Sequence, residues 1–216
     1  MVIAFGNIKG GTGKSTLLLL LASYLARAEK KKVFIIEMQE TGALGLLFNK
    51  SKLLEHELPF EYFSCDLSRF GLLSSRLKLE TDCDILIELS TSIHDERILS
   101  VFGCFDILIC PFCYDSPTVN STIYFANLAR RIRPGLAILF LPNRIIPTAF
   151  YEFRAEIDQV LRQMAPVSTA ISEHIGFQRI SSMNLPQELI LRCEATLELI
   201  FYQYISPLRD NNNSQN

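Results

Sequence analysis

The chain of 216 residues is 49% hydrophobic and 20% charged, with a formal net charge of −2, which favours one large core and excludes a strongly basic nucleic-acid coat protein. Its start lacks the basic segment of a secretory signal, and its longest early apolar run, residues 17–22, is far shorter than the roughly 20 residues of a bilayer span. Because the six cysteines lie mostly in apolar runs, we expect a protein of the reducing cytoplasm that does not bind membranes.

Short apolar runs alternate with helical patterns along the chain. The runs are nearly continuous, as in strands that are buried on both faces, and they cover residues 2–6, 33–36, 85–89, 107–110 and 137–141. The first helix is predicted after Ser15, and its apolar stripe comprises Leu18, Leu21, Ala22 and Leu25.

Three further helices are predicted downstream. Ser116 and Pro117 form a helix start, and that helix is expected to end near residues 133–135. Another covers residues 151–164, and the last covers residues 187–205 with one apolar side, which comprises Ile190, Cys193, Leu197, Phe201 and Tyr204.

Two segments lack such clear patterns. Residues 48–78 mix charged and aromatic residues without periodicity, so they form either a short helix with an edge strand or a mobile insertion. The polar residues 209–216 predict a disordered tail after a single domain that spans residues 1–208. The alternation as a whole predicts an α/β fold, a three-layer sandwich with a mainly parallel central sheet and helices on both faces.

Residues 9–16, Lys-Gly-Gly-Thr-Gly-Lys-Ser-Thr, connect the first predicted strand to the first helix. Glycines let backbone N–H groups converge on an anion, and the helix N-terminus adds a partial positive charge. Lys14 and Ser15 stand where a phosphate-binding loop has its lysine and its magnesium-binding hydroxyl. The usual first glycine of that motif would fall at Ile8, and the chain instead carries a second cation, Lys9.

With this early lysine, the sequence resembles the ParA/MinD family of ATPases with a deviant Walker A motif, and is most similar to ParA-like partition ATPases. The resemblance covers about residues 1–180 and implies a P-loop NTPase fold. It extends to residues 33–42, 84–89 (the Walker B strand), 106–117, 142–144 and 171–180, where the family's loop and helix close over the base.

The resemblance implies ATP and Mg²⁺ as cofactors and a homodimer that sandwiches ATP. Lys9 would act catalytically on the partner's nucleotide, and Asn143 would read adenine. The implied nucleotide-binding residues are Lys9, Gly10, Gly11, Thr12, Gly13, Lys14, Ser15, Thr16, Asn143 and Arg144, and the implied magnesium-binding residues are Ser15, Glu37 and Glu88.

Three acidic positions depart from the family pattern. Glu37 and Glu88 replace aspartates and keep the charge with an added methylene, so magnesium contact through water is retained. Gln39 replaces the aspartate that aligns the attacking water; glutamine orients water but accepts no proton, so we predict slow hydrolysis. Glu40 is the alternative carboxylate.

The resemblance implies a function in plasmid or chromosome partition, or in mobile-element maintenance, with a ParB-like adaptor and non-specific DNA as the expected partners. Arg130, Arg131 and Arg133 form the best local basic cluster for DNA. Two alternatives remain open: a regulatory nucleotide-binding module without turnover, and a metabolic ligase of the same fold that resembles dethiobiotin synthetase. Cys110 and Cys113 form a C-x-x-C pair, interpreted as structural rather than redox-active.

Overall fold

The computed structural model describes residues 1–39, 42–77, 83–90 and 101–213, with the side chains of residues 74–77 and 211–213 left out. Six parallel strands form one sheet in the order β3-β2-β4-β1-β5-β6. They are β1 (Val2–Phe5), β2 (Lys32–Glu37), β3 (Glu61–Ser64), β4 (Cys83–Glu88), β5 (Ile107–Phe112) and β6 (Ala137–Pro142). The five strands predicted from apolar runs are present, with ends within two residues of those expected.

Helices cover both faces of the sheet, which confirms the predicted α/β sandwich. Successive residues of β1 and β2 point into two separate apolar clusters, because alternate side chains of a strand face opposite sides. The described helices are α1 (Lys14–Arg27), α2 (Ala43–Leu53), α3 (Phe70–Leu77), α4 (Ser116–Ile132), α5 (Arg154–Met164), α6 (Ile175–Gln178), α7 (Gln187–Ile200) and α8 (Ser206–Asn213), with a π-helical turn at Phe201–Ile205 between the last two.

Helix α1 is more deeply buried than its predicted apolar stripe implies. Every residue from Leu17 to Leu25 is buried. The reason is that α7 packs over the side of α1 that faces away from the sheet, and residues of both helices belong to one apolar cluster. A helix that is covered on both sides is apolar all round.

Both segments without clear patterns contain regular elements among their described residues. Residues 48–78 contain the end of α2, the edge strand β3 and helix α3, in agreement with the first interpretation of this segment. Within the tail that was predicted to be disordered, residues 209–213 belong to helix α8, and residues 214–216 lie outside the described residues. Arg209 donates to both carboxylate oxygens of the buried Asp84, at 2.6 and 2.7 Å, and so anchors α8 to the sheet.

The carboxyl ends of the parallel strands meet at one edge of the sheet, where ligands of open α/β sheets bind. Strand β1 leads there into residues 6–13, β4 ends there at Glu88, and β6 is followed there by Asn143. Within the described part of the chain, no helix is both long and apolar enough to cross a membrane.

Candidate functional site

The loop before α1 takes a shape that requires glycine. Gly11 and Gly13 have φ angles of 79° and 93°, in the left-handed region that other residues rarely adopt. A Cβ atom on Gly13 would lie 2.2 Å from Nδ2 of Asn143, so the close approach of these two residues also excludes a side chain. No side chain caps the N-terminus of α1, which leaves its first N–H groups available to an anion.

Residues after β6 hold this loop from the other side. Asn143 is buried and donates from Nδ2 to the carbonyl oxygen of Thr12 at 2.8 Å. Arg144 follows with a φ of 58°, a strained value of the kind that clusters at functional sites. Its guanidinium lies 3.5 Å from the carbonyl oxygen of Gly11 and 2.9 Å from Glu173. The structure therefore brings these two predicted residues together with the loop.

Asn7 is a loop-positioning residue that sequence reasoning missed. It is 1% exposed, and its Nδ2 donates to the carbonyl oxygen of Pro111 at 2.9 Å and to Thr122 at 2.7 Å. Its Oδ1 accepts from the backbone N–H of Lys9 and from the hydroxyl of Ser121, both at 3.0 Å. The only local sequence signal for this role was an amide residue directly after a buried strand.

Lys14, Ser15 and Glu88 form the polar floor of the site. The ammonium group of Lys14 donates to the carbonyl oxygen of Asn7 at 3.3 Å, and the hydroxyl of Ser15 donates to Oε1 of Glu88 at 2.8 Å. Burial lowers the pKa of Lys14, although the nearby charge of Glu88 opposes this shift. Burial raises the pKa of Glu88 to about 7, against the effects of Ser15 and Lys14.

Two buried polar atoms of the site have no hydrogen-bond partner among the described residues: Oε2 of Glu88 and Oγ1 of Thr12. Buried polar atoms are nearly always paired, so each of these two atoms marks a place where a ligand or a water would bind. A magnesium ion at Ser15 and Glu88 would give the carboxylate a partner, and a phosphate chain would occupy the loop. The residues present therefore fit Mg²⁺ with a nucleotide.

Glu37, which the resemblance implied as a magnesium residue, has other partners. Its Oε1 accepts from the backbone N–H of Leu44 at 3.0 Å, and its Oε2 accepts from Gly45 at 2.9 Å and from the hydroxyl of Tyr62 at 2.7 Å. Glu37 thus caps the N-terminus of α2 and ties it to β3. Its magnesium role stays a prediction, and these three bonds hold the carboxylate toward α2 and β3.

A cleft of about 510 Å³ extends from the loop and is of a size that suits a small-molecule ligand. Its polar lining includes Glu88, at the end of β4, and the adjacent Asn143 and Arg144, in the connection after β6. Its apolar wall consists of Leu17, Leu20, Ile171 and Phe177. The segment 171–180, which the resemblance placed over the base, therefore does line this cleft.

The remaining predicted residues lie outside the cleft lining. Lys9 and Gly10 are exposed on the loop, and Gln39 is exposed after β2. Glu40 lies outside the described residues. Burial raises the pKa of both Cys110 and Cys113, which keeps the thiols protonated and favours the structural interpretation of the C-x-x-C pair.

A parallel sheet in this strand order, with a glycine-rich loop at the N-terminus of α1, defines a P-loop NTPase. The family model described as the CobQ/CobB/MinD/ParA nucleotide-binding domain matches residues 3–186, and the chain belongs to this family. No curated protein sequence matches the chain significantly.

Solved structures with the same fold include partition proteins and MinD. A plasmid partition protein of Borrelia burgdorferi B31 bound to AMPPNP has a TM-score of 0.70 at 20% identity, over 94% of this chain and 98% of that one. Apo McdA of Cyanothece has a TM-score of 0.68 at 17% identity, over 91% and 97%. The septum site-determining protein MinD of Pyrococcus horikoshii OT3, in complex with Mg-ADP, has a TM-score of 0.72 at 17% identity, over 95% and 96%.

Proposed function

We propose that the chain binds ATP with Mg²⁺ through residues 9–16 and acts as a ParA-like nucleotide-dependent switch in the cytoplasm. The carrying observation is the orphaned Oε2 of Glu88, beside the Ser15 hydroxyl and the buried Lys14, at the floor of a cleft. The AMPPNP and Mg-ADP complexes of the partition protein and MinD support the nucleotide.

Lys14→Ala tests the assignment directly. The loop amides remain in this variant, but the buried cation next to the phosphates is lost, so calorimetric titration with Mg-ATP should show no measurable binding. Lys50→Ala, which removes an exposed lysine of α2, is the matched control and should bind as the wild type does. Equal affinity of Lys14→Ala and wild type would refute the phosphate-loop assignment.

The exposed Lys9 supports a dimer that sandwiches ATP. Lys9 is exposed and does not line the cleft of its own chain, so a second copy of the chain can contact it. Two facing phosphate chains repel strongly in a partly desolvated interface, and a cation from each subunit offsets that repulsion. Light scattering should therefore show a dimer with Mg²⁺ and a non-hydrolysable ATP analogue in wild type and a monomer in Lys9→Ala.

The proposed biological role is plasmid or chromosome partition, or mobile-element maintenance, with a ParB-like adaptor. Non-specific DNA is the further partner in this proposal. Arg130 donates to the carbonyl oxygen of Met164, and Arg133 donates to that of Phe105, so two members of the predicted basic cluster serve internal contacts. Salt-dependent retention on DNA in the presence of Mg-ATP would support this partner.

A regulatory module without turnover is the second candidate. The observation that favours it is the position of Gln39, which is exposed and outside the cleft lining. A partition switch with slow hydrolysis would release phosphate from ATP over hours, whereas a module without hydrolysis would release none. A measurable rate of phosphate release that Lys14→Ala abolishes therefore favours the switch.

A further inference from the structure

Among the described residues that line the cleft, Glu173 carries the one carboxylate besides that of Glu88. We propose that Glu173 selects the base of the bound nucleotide, by accepting a hydrogen bond from the exocyclic amine of adenine. The inference rests on the ATP binding proposed above. Leu17, Leu20, Ile171 and Phe177 supply the apolar wall that a purine ring requires, and Glu173 lines the same cleft.

Glu173 is held in place by its backbone and by one of its two oxygens. Its N–H donates to the carbonyl oxygen of Ile145 at 2.9 Å. Oε1 accepts from Nη2 of Arg144 at 2.9 Å and from Nε2 of Gln178 at 3.3 Å. Both side-chain bonds use Oε1, which leaves Oε2 as an acceptor for a ligand. The carboxylate is therefore both oriented and available.

Three other polar side chains of the cleft are less suited to an amine. Asn143, which the resemblance assigned to adenine, is 6% exposed and donates to Thr12 while packed against Gly13. The guanidinium of Arg144 only donates. His174 accepts from the N–H of Gly176 through Nδ1, which leaves Nε2 as the nitrogen that carries the ring proton and donates. An ionised carboxylate is also a stronger acceptor than an amide oxygen.

A nucleotide that lacks only the amine provides the test. Calorimetric titration with Mg²⁺ would compare ATP with purine riboside triphosphate, which carries hydrogen at the 6-position. A hydrogen bond to a charged group predicts that wild type binds ATP about 10- to 100-fold more tightly than the analogue. In Glu173→Ala the two affinities should become equal, because the acceptor is gone, and Glu173→Gln should give an intermediate ratio.

Glu188→Ala is the matched control. Like Glu173, Glu188 forms a surface ion pair with an arginine, Arg192 at 3.5 Å, but it lies outside the cleft lining. This variant should keep the wild-type ratio. If Glu173→Ala has a wild-type circular dichroism spectrum and keeps the wild-type ratio of the two affinities, the assignment of Glu173 is overturned, although ATP binding still stands. A wild-type preference for GTP that Glu173→Ala removes would overturn the choice of adenine. Absence of ATP binding to wild type would overturn both this inference and the proposed function.

Discussion

Replacement of Glu37 by alanine separates its cap role from its implied magnesium role. The carboxylate of Glu37 accepts three hydrogen bonds, from Leu44, Gly45 and Tyr62. Loss of a helix cap costs about 1 kcal/mol, and loss of the bond between Tyr62 and a charged acceptor costs about 1.5–3 kcal/mol. We therefore expect Glu37→Ala to lower the free energy of unfolding by about 2.5–4 kcal/mol without nucleotide.

Gly42 makes this test sharper. A Cβ atom on Gly42 would lie 1.9 Å from Oε1 of Glu37, although its φ of −97° suits any residue. Gly42→Ala should therefore destabilise the wild type and be tolerated in the Glu37→Ala background, a coupling that denaturant unfolding of the four proteins measures. Tyr62→Phe, which removes one of the three bonds, should cost less than Glu37→Ala.

The opposite result would restore the magnesium role. Unfolding free energies that do not respond to Glu37→Ala, together with loss of the magnesium dependence of ATP affinity, would refute the cap argument. Thermal unfolding gives the same comparison, since about 1 kcal/mol shifts Tm by about 2–4 °C in a chain of this length.

Three further predictions concern stability and turnover. The pKa of Glu88 is raised to about 7 in the folded protein, so the folded protein holds a proton on Glu88 more tightly than the unfolded chain does. The contribution of this proton to the free energy of unfolding is therefore present at low pH and declines from about pH 4.5 to pH 7. Glu88→Gln should remove that decline and stabilise the nucleotide-free protein at pH 8, by at most about 3 kcal/mol; a pH profile of unfolding that matches wild type would contradict this. Arg209→Met leaves the buried Asp84 without its arginine and should cost about 3 kcal/mol in denaturant unfolding, whereas Arg192→Met, in an exposed pair, should cost under about 1 kcal/mol. Gln39→Asp should raise phosphate release if Gln39 limits hydrolysis, and an unchanged rate would place the limiting step elsewhere.

Much of the fold could be predicted from local patterns. Strands that are buried on both faces are apolar throughout, so β1, β2, β4, β5 and β6 stood out as short runs, while the edge strand β3 is mostly exposed and lacks that signal. The phosphate loop was equally evident, because Gly11, Gly13, Lys14 and Ser15 act through backbone freedom and chemistry that belong to one short segment.

Local sequence patterns therefore predicted the α/β alternation, the glycine-rich loop, and Lys14, Ser15 and Glu88 as residues near that loop. The hydrogen-bond partners of the other polar groups became known only from the folded structure. Glu37 bonds Tyr62, 25 residues away, and Asn7 bonds Pro111 and Thr122, more than 100 residues away. Glu173 likewise accepts a hydrogen bond from Arg144, which lies 29 residues earlier in the sequence. The physical reason is that a hydrogen bond forms only when donor and acceptor are close in space. Sheet pairing and helix packing bring distant segments together and so set the positions of donors and acceptors.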